Sequence, residues 1–314
     1  MQTLKVTECI EALLAHDNYF VITHTRPDGD TICSAAALCS GLRRKGKTAY
    51  MYANPEITDT YAPFAAAYVG EAPKNAYVIS VDVADVTMFP IGWEGKVDLA
   101  IDHHPKNPGY AEKTIVDGSL ASCGELVMKL VLGMCGTMSK EEANLLYIAV
   151  STDSGCFCYG NTTAETLRAA AHLIDNGAEN AMLNKMFFRS YSFGRMKLEG
   201  MVYAGLQSFR DHKINLAVVT LDMMKECGAT EDDCDDLASL PGKIRGSVVS
   251  IMIRELEEGR CKVSLRTNDE VDSSEICGRF GGGGHKMAAG CTLNTDPEIA
   301  ALLIMAAVND VWPE

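Results

Sequence analysis

The chain of 314 residues carries 28 Lys and Arg against 42 Asp and Glu, a formal net charge of −14 at pH 7, and 47% of it is hydrophobic. That length buries a full core without staples and suits two domains of ordinary size. The acidity excludes a generic duplex-DNA binder, whose affinity comes from neutralising many phosphates over a basic surface, so an anionic ligand needs local positive charge here.

Twelve cysteines occur with no Cys-x-x-Cys pair, and nothing after Met1 resembles a secretory signal. A reduced, cytoplasmic setting fits this usage. Cys156 and Cys158 could bind a metal in principle, but free cysteine commonly packs as a small hydrophobe, and that is the reading adopted. The longest apolar run, 299–308, is about half of the ~20 residues a membrane span needs, so no transmembrane segment is expected.

In chain order, short β-rich apolar runs at 19–23, 76–81 and 97–101 read as strands. Helical patterns lie between and after them at 32–44, 122–132, 140–151 and 164–176, with Gly133 and Gly177 as helix stops. This alternation predicts βαβ units and a parallel sheet, an α/β domain over 1–184 with helices on both faces. Residues 185–209 contain no Pro and few Gly, which predicts one connecting helix. Beyond it, 214–220 reads as a strand, and 247–254 with 260–267 reads as a hairpin across Glu257, Glu258 and Gly259. A last helix is predicted over 297–311, with Pro297 in its first turn after Asp296. Residues 210–314 are thus expected to form a smaller mixed α/β domain. The acidic run 231–236 reads as a solvated helix N-terminus favoured by the helix dipole, because adjacent carboxylates there diverge.

The first three strands end in the same kind of residue. His24, Asp28 and Asp30 follow the first, Asp82 the second, and Asp102, His103 and His104 the third. Ligands of an open parallel sheet sit beyond the carboxyl ends of its strands, so these clusters are expected to converge, joined by Asp153 at the end of the 140–151 helix. Singly, Asp28-Gly29 is a good turn and Asp82 a good helix cap. Together, five carboxylates and three imidazoles in one crevice would cost several kcal/mol in desolvation and repulsion unless cations neutralised them. Mixed carboxylate and imidazole donors suit Mn²⁺, Fe²⁺, Co²⁺ or Zn²⁺, and so many ligands favour a pair of ions sharing a bridging carboxylate.

The second domain carries four consecutive glycines, Gly281, Gly282, Gly283 and Gly284, before His285 and Lys286. Such a run reads either as a flexible turn or as backbone that approaches an anion closely, with His285 or Lys286 adding charge. Arg266 and Arg279 are further phosphate candidates that read equally well as exposed arginines.

These residues resemble a known family. His24-Thr-Arg-Pro-Asp28-Gly-Asp30, Val81-Asp82, Asp102-His103-His104 and Thr152-Asp153-Ser-Gly155 look like the four ordered motifs of DHH phosphoesterases. Residues 281–290, with Arg266 upstream, resemble the signature of the DHH-associated C-terminal nucleotide-binding domain. The length and architecture are similar to those of bacterial enzymes that degrade very short oligoribonucleotides and dephosphorylate 3′-phosphoadenosine 5′-phosphate (pAp). Cys33 stands where the family has Gly, and Ser154 where Thr is frequent; neither position is a metal ligand in the family, so the departures bear on helix packing.

The resemblance implies two divalent ions, Mn²⁺ by family habit, one on His24, Asp28 and Asp82 and the other on Asp30, Asp82, His103 and Asp153. It implies catalytic roles for Asp102, orienting an imidazole, and for His104, near the scissile phosphate. It assigns Arg266, Gly281, Gly282, Gly283, Gly284 and His285 to the nucleotide or terminal phosphate. The implied partners are short single-stranded RNA or dinucleotides such as pApA, together with pAp, and a tendency to homodimers; no membrane is implied. Cyclic dinucleotide cleavage stays open as an alternative. A manganese pyrophosphatase has a different second domain, and a RecJ-type exonuclease usually a longer chain. A non-catalytic nucleotide-binding regulator is the rival of another class, and the completeness of the ligand set discriminates against it.

Overall fold

The computed structural model describes residues 2–234 and 236–313, which form two compact units, 1–190 and 191–314. In the first, the chain order is β1 (Gln2–Thr3), α1 (Val6–Ala15), β2 (Tyr19–Ile22), α2 (Gly29–Arg44), β3 (Ala49–Met51), α3 (Ala62–Ala65), β4 (Tyr77–Val81), β5 (Leu99–Asp102), β6 (Lys113–Val116), α4 (Cys123–Cys135), α5 (Lys140–Asp153), α6 (Ala164–Asp175) and α7 (Asn180–Phe188). The expected parallel sheet is present, six strands in the order β1-β6-β5-β4-β2-β3 with every pairing parallel.

Alternation along the strands sorts the two faces. Tyr19 and Val21, Ile79 and Val81, and Leu99 and Ile101 point into a core shared with α1, α2, α4 and α5. Helix α2 is buried from Gly29 to Leu42, and its Ala35, Ala36 and Ala37 allow the sheet, α4 and α5 to close around it. Ile22, Val78 and Ala100 point the other way. Where helices on both faces were expected, this second face is closed by loop residues Phe89, Trp93 and Tyr110 beside a 3₁₀ turn at Val86–Met88. Aromatic side chains there do the covering that a crossover helix would do; Phe20, Tyr52 and Trp93 meet with ring centroids 5.7 to 6.1 Å apart.

Gly133 is not a helix stop. Helix α4 runs through it because Ile10 of α1 packs where a Cβ would stand, and the helix ends at Gly136 with φ +72°. Residues 185–209 are not one helix either. Helix α7 ends at Phe188, and Ser192 caps a new helix, α8 (Phe193–Ala204), by accepting the Arg195 amide at 2.8 Å. Three further residues, Gln207–Phe209, form β7.

The second unit continues with β8 (Ile214–Val219), α9 (Leu221–Cys227), β9 (Val249–Glu257), β10 (Arg260–Thr267), α10 (Ser273–Gly278), β11 (Gly283–His285), β12 (Ala288–Leu293) and α11 (Pro297–Val311). Its sheet runs β11-β12-β10-β9-β8-β7, with β8 and β9 parallel and the other pairs antiparallel, the mixed α/β domain expected. One face packs on α10 and α11, the other on α8 and α9. The acidic run is more than a solvated helix start: Asp233 accepts from Ser192 Oγ and the Thr230 amide and fastens the beginning of α8, while Asp235 lies outside the described residues. Among the described residues no helix is long and apolar enough to cross a membrane.

Candidate metal centre

The strand-end residues do converge. Asp28 caps α2, accepting the Asp30 and Thr31 amides at 3.0 and 3.2 Å, and so places itself, Gly29 and Asp30 at the end of β2. A Cβ on Gly29 would stand 2.5 Å from Thr152 Oγ1, so glycine lets the start of α2 touch the end of α5 and brings Asp153 to the same spot. Asp82 follows β4 with φ +59°, a left-handed conformation that Asp and Asn tolerate better than other side-chain-bearing residues.

His103 Nε2 lies 3.4 Å from Asp82 Oδ1, 3.6 Å from Asp153 Oδ2 and 3.8 Å from Asp30 Oδ2. His24 Nε2 lies 3.6 Å from Asp28 Oδ1 and 3.7 Å from Asp82 Oδ2. The Nδ1 atoms of both rings face carbonyl oxygens, Thr25 at 2.7 Å for His24 and Leu120 at 3.2 Å for His103. A carbonyl only accepts, so each Nδ1 carries a proton and each Nε2 faces the carboxylates, the nitrogen that a metal would take once it has displaced the proton held there.

Three groups of donor atoms lie within 4.8 Å of one another: His24, Asp28 and Asp82; Asp30, His103 and Asp153; and Asp82, His103 and His104. Asp82 stands between the first two, one oxygen toward each. Its Oδ1 is buried without a hydrogen-bond partner, an orphan that costs free energy unless a cation meets it. The donors are carboxylate and imidazole with no thiolate, and they fit a divalent transition ion.

Charge follows from this crowding. Burial raises the Asp30 carboxyl well above its ordinary range, and the charges of Asp82 and Asp153 add to it. Burial likewise raises Asp82 against the opposing pull of His103, and it takes Asp153 to about 7. For His24, burial works downward, but Asp28, the Thr25 carbonyl and Asp82 outweigh it and carry the ring to about 9. The same contest, won by Asp82, Asp30 and Asp153, carries His103 to about 10. A cation at this centre therefore displaces protons.

Asp102 stands outside the three groups. Its Oδ1 accepts from His104 Nδ1 at 2.7 Å and from the His103 and His104 amides, which fixes the turn carrying both imidazoles. Its Oδ2 accepts from Asn107 Nδ2 at 2.6 Å, and the same amide group reaches the Val83 carbonyl at 3.2 Å, tying the loops after β4 and β5 together. Asn107 escaped the sequence reading, although an Asn five residues beyond the first Asp of Asp102-His103-His104 was its signal. Also unseen were Ser34 Oγ and the Cys123 and Gly124 amides, which donate to Asp30 and seat that carboxylate on the N-terminus of α4.

Cys158 is exposed and Cys156 only half-buried, so the packing role expected for this pair does not describe Cys158; neither belongs to the donor groups found among the described residues. In the second unit, Arg266 on β10 and Gly283–His285 on β11 are all exposed, the latter on the edge strand beside β12. The glycines are not one anion nest. The Gly281 and Gly282 amides already donate to the Gly278 and Cys277 carbonyls, and a Cβ on Gly282 or Gly284 would strike the β12 carbonyl of Gly290 or Ala288 at 2.2 or 2.5 Å. At Gly283 a Cβ would meet nothing within 4 Å.

A parallel sheet whose carboxyl edge gathers carboxylates and imidazoles around one orphaned oxygen defines an α/β protein with side chains able to hold a metal. Residues 18–150 match the DHH family, N-terminal domain, and residues 213–311 the DHHA1 domain. The chain is 36% identical over 299 residues to the bifunctional oligoribonuclease and PAP phosphatase NrnA of Thermus thermophilus, covering 93% of this chain and 89% of that one. It is 25% identical over 307 residues to the protein of the same name from Bacillus subtilis, covering 95% and 96%. The chain belongs to the DHH family and carries a DHHA1 domain after the DHH domain. In fold it is similar to an exopolyphosphatase-related protein from Bacteroides fragilis, with a TM-score of 0.82 at 23% identity over 97% of this chain and 96% of that one. RecJ of Thermus thermophilus, crystallised with Mn²⁺, gives 0.51 at 14% identity over 97% of this chain and 54% of that one.

Proposed function

We propose that this protein is a cytoplasmic, Mn²⁺-dependent phosphoesterase that hydrolyses short oligoribonucleotides such as pApA to mononucleotides and pAp to AMP. The observation that carries the reading is the buried, unpartnered Asp82 oxygen between two sets of donors, in a chain so similar over its length to an oligoribonuclease and PAP phosphatase. The absence of disulfide partners for its twelve cysteines supports a reducing compartment.

His24, Asp28 and Asp82 would hold one ion and Asp30, Asp82, His103 and Asp153 the other, Asp82 offering an oxygen to each donor set. Bound there, the two ions supply a lowered pKa for a nucleophilic water and charge compensation for the phosphoryl group. Asp102 takes the Nδ1 proton of His104 in a hydrogen bond and holds the ring, and that bond raises the His104 pKa above its usual value. The imidazolium so favoured stabilises charge on the phosphoryl oxygens and can pass a proton to the departing 3′-oxygen. Asn107 keeps Asp102 in place. Arg266, the glycine run 281–284 through its open position Gly283, and His285 would bind the nucleotide, with Arg266 giving an acidic protein the local positive charge its substrate requires.

The test is AMP release from pApA by protein stripped with chelator and resupplied with Mn²⁺, with pAp and pyrophosphate assayed alongside. Metal-dependent AMP release with pyrophosphate untouched is expected. No turnover of pApA or pAp by protein that demonstrably binds Mn²⁺ overturns the reading and favours the non-catalytic regulator.

A further inference from the structure

The Nδ1 proton of His24 goes to the Thr25 carbonyl at 2.7 Å and that of His103 to the Leu120 carbonyl at 3.2 Å. A peptide group is planar, so the amide at its other end turns with the carbonyl. For His24 that amide is Arg26's, and it donates to Glu56 Oε2 at 3.0 Å. For His103 it is Ala121's, and it donates to Glu125 Oε1 at 3.1 Å. The same chain of carboxylate, peptide and imidazole therefore occurs twice, on separate segments, behind both imidazoles whose Nε2 faces the carboxylates of the centre.

Each glutamate is itself fixed. Glu56, in the loop after β3, accepts also from Thr25 Oγ1 at 2.6 Å, and its own amide donates to Oδ1 of the buried Asn54, whose Nδ2 reaches back to the His24 carbonyl at 2.8 Å. Glu125, in the first turn of α4 and 1% exposed, accepts also from Thr166 Oγ1 of α6 at 3.0 Å. Burying a carboxylate to that degree costs free energy, and none of the metal ligands uses it. At Arg26 the hold works against the backbone: φ of +46° is left-handed, a conformation disfavoured for a long side chain, so the peptide needs an outside grip to keep its carbonyl on His24 Nδ1.

We infer, resting on the two-ion reading above, that Glu56 and Glu125 are positioning residues, each aiming one metal-ligating imidazole through a single peptide group, Glu56 for His24 and Glu125 for His103. A carbonyl alone orients a ring loosely because its peptide can tilt; a carboxylate on the other end removes that tilt and polarises the carbonyl toward the imidazole in the same sense. The two holds are independent, since Glu56 belongs to the loop after β3 and Glu125 to α4, so each governs the affinity of its own donor set.

The experiment is calorimetric titration of full-length protein with Mn²⁺, comparing wild type, Glu56→Ala and Glu56→Gln, each with and without His24→Ala, and Glu125→Ala with and without His103→Ala. Glu56→Ala is expected to weaken one of two Mn²⁺ sites about 10- to 100-fold, and Glu56→Gln, whose amide oxygen still accepts from Thr25 and Arg26, to restore affinity to within about threefold. In the His24→Ala protein, adding Glu56→Ala should change the affinity of the remaining ion less than about twofold, and Glu125→Ala should behave likewise with His103→Ala. Wild-type affinities in Glu56→Ala, or an undiminished loss when His24 is already gone, would overturn the positioning role. Thermal melts of the metal-free proteins identify a variant that fails to fold; because Glu125 is buried and Glu56 is not, the Glu56 series decides the matter if Glu125→Ala is lost that way. Either overturning result leaves the phosphoesterase reading standing if the wild type binds two Mn²⁺ and cleaves pApA, whereas a wild type that binds no Mn²⁺ overturns both.

Discussion

At the carboxyl edge of the first sheet the polar groups are buried and face one another, whereas on β10 and on the edge strand β11 of the second they are exposed. Asp30, Asp82 and Asp102 are each at most 3% exposed, and Asp82 is orphaned; Arg266, Gly283 and His285 all lie open. The first arrangement stores a cost that bound protons or cations relieve, and it is stiffened by hydrogen bonds from backbone and from residues such as Asn107. The second stores none and needs only a shape that lets a ligand's backbone come near.

The sharpest way to break this contrast is Asp82→Asn. Asparagine keeps the left-handed backbone and the side-chain shape but removes the charge shared between the two donor sets, so pApA turnover should fall about a thousandfold or more, with Mn²⁺ stoichiometry reduced. Calorimetric titration with Mn²⁺ checks the stoichiometry, and a fully active variant would refute the bridging role.

Proton release on metal binding comes next. In the metal-free protein His24 at about 9 and His103 at about 10 are protonated at pH 7, and Asp153 at about 7 is partly so. Metal must displace these protons, so apparent Mn²⁺ affinity should rise with pH through neutrality and fall on acidification. Titration at pH 7 in buffers of different ionisation enthalpy should report at least two protons released, the two imidazoles giving one each and the raised carboxyls of Asp153 and Asp30 adding to them; no buffer dependence would contradict it.

Arg266→Ala is a gentler probe. Losing a charged hydrogen bond to phosphate should raise KM for pApA about tenfold while kcat changes less than about twofold, as steady-state kinetics will show. The smallest effects separate the glycines. Gly282→Ala should destabilise the second unit by about 1 to 3 kcal/mol in denaturant melts, because its Cβ meets the Gly290 carbonyl, while Gly283→Ala should change stability by less than about 0.5 kcal/mol.

Most of the metal centre was legible because strand ends are legible. A run such as 97–101 is apolar, β-branched and followed at once by Asp102, His103 and His104, and a parallel sheet has only one edge where those can go. What escaped notice acts through backbone or at short range. Residues 185–209 read as one helix because no Pro or Gly marks the break, and the break depends on Ser192 capping at a site that two nearby serines make ambiguous. Strand β7 returns to β8 through Arg210, Asp211 and His212, all left-handed without a glycine among them. The glycines at 281–284 suggested an open phosphate loop, but tight packing on β12 accounts for Gly282 and Gly284. Composition cannot distinguish a glycine that clears room for a ligand from one that clears room for a neighbouring strand.

The backbone at Asp82 also constrains how this protein can change over evolutionary time. At φ +59° few residues other than Asp, Asn or Gly sit without strain, and a single base change leads from Asp to either of the other two. The substitutions the chain tolerates best at that position are therefore the ones that remove the carboxylate from between the two donor sets while leaving the second unit's fold intact. If the proposed roles hold, a descendant that keeps nucleotide recognition and loses hydrolysis is one mutation away, and a duplicated copy of the gene would be free to take that step.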